Sequence, residues 1–111
     1  MLTISSARQG DFLVVSLVGR VDASNSKELE EQCINFISNG ETKMILDLTE
    51  VNYVSSAALR VFLLAAKRMS AVKGTVRLCG LSATLRDVFD ISGFSKLFVI
   101  TATVQEALAS E

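Results

Sequence analysis

Apolar positions change period several times along the chain, and each change marks an element. Phe12-Leu13-Val14-Val15-Ser16-Leu17-Val18 reads as a strand and Leu2 to Ile4 as a shorter one. Arg8-Gln9-Gly10-Asp11 between them is a turn-rich connection of hairpin type, so the sheet begins antiparallel. Leu29, Cys33, Phe36 and Ile37 then recur at helical spacing, while Glu30, Glu31 and Gln32 fall off the stripe. Asn25 followed by Glu28 reads as a capping box, and Asn39-Gly40 supplies a left-handed stop, which predicts a first helix near 26–38.

Met44-Ile45-Leu46-Asp47-Leu48 is apolar without alternation, as expected of a central strand covered by helices on both faces. A second helix follows over 56–69 and ends before Lys73-Gly74. Thr75 to Cys79 forms the next strand. Leu85, Val88, Phe89 and Ile91 predict a third helix closing at Gly93, Leu97-Phe98-Val99-Ile100 a last strand, and Val104, Ala107 and Leu108 a short amphipathic helix. The order β-β-α-β-α-β-α-β-α predicts an α/β fold: one layered domain over 1–111, a mixed, mostly parallel sheet packed with about four helices through right-handed crossovers.

At 111 residues, half of them apolar, the chain is long enough to bury one core. Eleven basic and twelve acidic side chains leave a net charge of −1, without the basic surplus that nucleic-acid binding draws on. No stretch approaches the roughly 20 apolar residues of a membrane span, and Met1-Leu2-Thr3-Ile4-Ser5-Ser6 lacks a basic segment leading into an apolar run, so a cytoplasmic protein without membrane insertion is expected. Cys33 and Cys79 fall on core-facing positions far apart in sequence and read as buried thiols. The absence of histidine removes the commonest general base and metal ligand, and neither a catalytic constellation nor a metal or cofactor site is expected. No Gly-x-x-x-x-Gly-Lys or Gly-x-Gly-x-x-Gly element points to a nucleotide enzyme.

Asp47 to Leu59 carries the candidate chemistry, running from strand through a short turn into a helix that opens on Ser55 and Ser56. A hydroxyl there either caps the helix or carries a phosphate in the favourable field of the helix N-terminus. Plotted at the helical period, Leu59, Phe62, Leu63, Ala66 and Met69 form the core face, with Ala58 and Ala65 at its edge. Ser56, Ala57, Arg60, Val61, Leu64, Lys67 and Arg68 lie opposite, an interleaving of aliphatic and basic groups that fits either a partner surface or scattered exposed aliphatics.

Gly19-Arg20-Val21-Asp22 resembles the Gly-x-Ile/Leu-Asp of the STAS domains of bacterial anti-sigma factor antagonists, and Asp47-Leu48-Thr49-x-Val51-x-Tyr53-Val54 resembles their Asp-Leu-Ser-x-Val-x-Phe-Met. Leu78-Cys79-Gly80-Leu81, Phe89-x-x-x-Gly93-Phe94 and Glu106-Ala107-Leu108 extend the resemblance over nearly the whole chain. In that family Asp-Ser-Ser/Ala-Gly-Leu opens the second helix and its first serine is phosphorylated. The resemblance therefore implies Ser56 as phosphoacceptor, with Ser55 as a competing hydroxyl. Ser55 replaces the family's aspartate and Ala58 its glycine.

The resemblance further implies a non-enzymatic partner-switching regulator. Its unphosphorylated form binds a serine kinase that is also an anti-sigma factor of the GHKL ATPase type, and a PP2C-type phosphatase restores that form. The implied partner surface comprises Asp22, Ser24, Asn25, Ser55, Ser56, Ala57, Arg60, Val61 and Leu64, although Asp22, Ser24 and Asn25 equally suit turn and capping chemistry. Some STAS domains instead serve as phosphorylation-independent accessory subunits of ABC-type transporters, and the serine at 55 keeps that alternative open.

Overall fold

The computed structural model describes residues 2–109, built from five strands and four α-helices. Strand β1 (Leu2–Gln9) turns back through Gly10 into β2 (Phe12–Val21), and the two pair antiparallel. Helix α1 (Ser26–Ser38) leads to β3 (Lys43–Val54), α2 (Ser56–Ala71) to β4 (Thr75–Cys79), and α3 (Ala83–Ile91) with a 3-10 turn (Phe94–Leu97) to β5 (Val99–Thr101). Helix α4 (Val104–Ala109) follows β5. The sheet order is β1-β2-β3-β4-β5, with every pair after the first parallel.

Successive parallel strands placed side by side, each joined by a crossover of one hand, put the connecting helices on one face of the sheet. The main core accordingly joins Leu29 and Cys33 of α1, Phe62 and Met69 of α2, and Leu85 and Phe89 of α3 to Val15, Leu17, Leu46, Leu48 and Leu78 of the strands. The central strand is therefore not covered by long helices on both sides. On the opposite face, among the described residues, only short α4 packs, its Ala107 against Phe12, Val14, Ile45 and Cys79. Buried Arg77 ties that helix down: its Nη1 donates to the Ala107 carbonyl at 2.6 Å, and the guanidinium lies over the Phe12 ring.

Several elements depart from the expected bounds. Strand β3 runs on through Val54 because its far half still pairs with β2 as far as Val21↔Val54, with a register irregularity near Gly19. Leu97 belongs to the 3-10 turn rather than the last strand, and Ile91 at the end of α3 is 87% exposed instead of core-facing. The buried stripe of α2 is Ala58, Leu59, Val61, Phe62, Ala65 and Met69. It is rotated from the expected face because α1 packs alongside, leaving Leu63 and Ala66 half-buried.

Candidate functional site

Helices α1 and α2 both start at the C-terminal edge of parallel strands, so their first turns lie side by side. Two loops are stitched together there: the Ser55 amide donates to the Val21 carbonyl at 2.9 Å. Ser55, extended at φ −84° and ψ 172°, is the N-cap of α2, and its hydroxyl accepts the Ala58 amide at 3.2 Å. Ser56 is the first residue of the helix and is exposed. The neighbouring serines thus differ in kind. One hydroxyl is spent on a backbone donor, and the other faces solvent at the positive end of the helix.

The loop entering α1 is internally bonded. Both the amide and the hydroxyl of Ser24 donate to Asp22 Oδ1, and these bonds, with Arg20 nearby, hold the Asp22 carboxyl below the usual carboxylate range. Asn25 does not form the expected capping box with Glu28. Its side-chain oxygen accepts the Asp22 amide and its Nδ2 donates to the Arg20 carbonyl, both at 2.9 Å, so it braces the loop instead of capping the helix.

Between α1 and α2 lies a shallow groove of about 510 Å³. One wall is Ser26, Lys27 and Glu30 of α1, and the other is Ala57, Arg60 and Leu64 of α2 over Val61. Val61 was expected to be exposed but is 5% exposed, because α1 covers it; it serves as groove floor rather than free surface. Ala58, expected at the edge of the core face, is fully buried and so is no part of the open surface. Ala57, Arg60 and Leu64 line the groove from α2; Ser56, exposed, precedes Ala57 at the head of that helix outside the lining, and Asp22 and Ser24 lie in the loop that leads to Ser26 on the other wall.

Reasoning from sequence missed the α1 wall, since Glu30 reads there only as falling off the apolar stripe and Lys27 is not singled out. It also missed Arg20, which stands opposite Tyr53 across β2 and β3, 4.3 Å over its ring, with Nε 3.7 Å from Asp22 Oδ2. Period-two alternation placing both residues on one sheet face would have been the signal. Among the described residues no cluster of three or more metal-ligating side chains occurs, and no helix is long and apolar enough to cross a membrane.

Known proteins resemble this chain in sequence and in fold. A family model for the STAS domain matches residues 3–107. A putative anti-sigma factor antagonist, BtrV of Bordetella bronchiseptica, is 39% identical over 99 residues, covering 89% of this chain and 85% of that protein. An anti-sigma-B factor antagonist of Listeria monocytogenes is 30% identical over 93 residues, covering 84% and 82%. Among solved structures, the Bacillus cell fate determinant SpoIIAA in its phosphorylated form superposes with a TM-score of 0.76 at 23% identity, covering 96% of this chain and 97% of that one. A putative antagonist from Thermotoga maritima superposes at 0.92 with 19% identity, covering 96% and 92%.

Proposed function

The chain belongs to the STAS domain family, and on that premise we propose that it is a partner-switching regulator of the anti-sigma factor antagonist kind with Ser56 as its phosphoacceptor. The observation that carries the reading is the division of labour between the serines: Ser55 caps α2 while Ser56 stands exposed beside the groove. The antagonist names of its relatives support the class of function, and the phosphorylated state named for SpoIIAA supports the kind of switch.

In the unphosphorylated form, Ala57 and Leu64 over Val61 offer a partner a small apolar groove bordered by Arg60 and by the Asp22–Ser24 loop. The partner is a serine kinase and anti-sigma factor of the GHKL ATPase type, and binding it releases what it had sequestered. The γ-phosphoryl group of ATP passes to Ser56 Oγ, ADP leaves, and the hydroxyl proton is lost. The product carries about −1.5 to −2 additional charge at the edge of the groove, enough to break a close-packed contact through desolvation and repulsion. A PP2C-type phosphatase hydrolyses the ester and restores binding. The protein contributes an acceptor hydroxyl and a surface, and performs no catalysis.

The test is binding of the kinase by wild type, Ser56→Ala and Ser56→Asp. Ser56→Ala should bind as wild type does, whereas Ser56→Asp should weaken the affinity at least about tenfold, which corresponds to about 1.4 kcal/mol. Equal binding by all three would remove the switch and favour the transporter accessory reading.

A further inference from the structure

The groove between α1 and α2 carries a cation on each wall, Lys27 on α1 and Arg60 on α2, both exposed. The ion pairs formed among the described residues engage Arg8, Arg20, Lys43 and Arg86, and leave these two unpaired. Arg60 stands one turn after Ser56 on the same helix, where residues four apart have Cβ atoms about 5–6 Å from each other. Lys27 is the second residue of α1, and it lines the same groove as Ala57, the immediate neighbour of Ser56. The carboxylates to be reckoned with are Glu28, Glu30 and Glu31, which follow Lys27 on α1, and Asp22 in the adjoining loop; the residue before the acceptor, Ser55, is neutral.

We propose that a phosphate on Ser56 is held from both walls by Lys27 and Arg60 and draws them across the groove, so that phosphorylation closes the Val61 and Leu64 surface to a partner as well as charging it. This deepens the reading of Ser56 as acceptor and rests on it. Lys27 and Arg60 are then positioning residues of the off state. They are dispensable for folding, and they convert a local modification into loss of a neighbouring surface.

The experiment places phosphoserine at 56 during translation, so it needs no host kinase, and its failure is distinct from a failure of Ser56 to be phosphorylated in the host. A Leu64→Cys reporter is alkylated with iodoacetamide at neutral pH. Cys33 and Cys79 stay silent there, since both are buried with thiols pushed up to about 12. Phosphate should slow alkylation of the introduced thiol severalfold, and Lys27→Gln with Arg60→Gln should abolish the slowing. Charge alone predicts the opposite, because removing two cations unscreens the phosphate and slows the reaction further. No slowing in the parent, or slowing that persists in the double variant, overturns the proposal.

A second readout is the phosphorus NMR titration of the phosphoserine, with Asp22 and Glu30 present throughout. It should fall below the usual second pKa of about 6 in the parent, stay low in Arg60→Lys, and rise again in the double glutamine variant. Identical titrations in all three would also overturn it.

Discussion

The Ser55 hydroxyl accepts the Ala58 amide at 3.2 Å, and this bond sorts two adjacent serines into a cap and an acceptor. Ser55→Ala should therefore lower stability by about 1 kcal/mol, the usual cost of an N-cap. In a domain of this size that is a drop of about 4–8 °C in Tm, measured by circular dichroism. Ser55→Asp supplies another good cap and should unfold near the wild-type temperature. Removal of the Ser56 hydroxyl by Ser56→Ala should change stability by less than about 0.5 kcal/mol, as expected of an exposed position.

Gly80 follows β4 at φ 75°, and a Cβ placed there would run into Thr49 of β3. Thr49 cannot retreat easily, because its amide and hydroxyl both donate to Asp47 Oδ1. Gly80→Ala should destabilise by about 2–3 kcal/mol, combining left-handed strain with the clash. Chemical denaturation with an unchanged m-value would check it.

Burial pushes the Cys33 thiol up to about 12, and burial together with the neighbouring Asp47 carboxylate does the same for Cys79, each from an ordinary value of 9.0. Both groups are neutral in the folded protein at neutral pH, so the stability linked to them is complete below pH 9 and declines as pH rises from there towards 12. Stability measured from pH 8 to 11 should fall along that window. At pH 8 a disulfide-exchange reagent should find no reactive thiol until denaturant is added, and then two.

Asp22 behaves in the opposite sense. Ser24 bonds hold its carboxyl below 3.8, so their contribution is present above that value and is lost as the pH drops through the lowered pKa. Ser24→Ala should return the Asp22 titration, followed by carboxyl-carbon NMR, towards the ordinary carboxylate value.

Much of the fold was legible because periodicity reports burial directly. The stripe Leu29 and Cys33 and the Gly93 stop (φ 81°) do what their pattern implies, and the apolar run Met44 to Leu48 is the central strand, though only short α4 lies on its second face. What was not legible depends on neighbours distant in sequence. Val61 reads as surface on its own helix and becomes floor only because α1 packs beside α2. Asn25 has a good cap's chemistry, yet the Arg20 carbonyl and the Asp22 amide claim its side chain first. The serine pair could be found from the strand-to-helix pattern, but assigning cap and acceptor required the Ser55–Ala58 bond. Lys27 gave no signal, since its place on the groove wall depends on how α1 packs beside α2.

The most direct test of the central claim is peptide mass spectrometry of the protein isolated from its own host, across growth conditions, with fragmentation that separates Ser55 from Ser56. One phosphoryl group on Ser56 in some condition is the predicted result. Phosphate on Ser55, or an unmodified Ser56 in every condition, would contradict it.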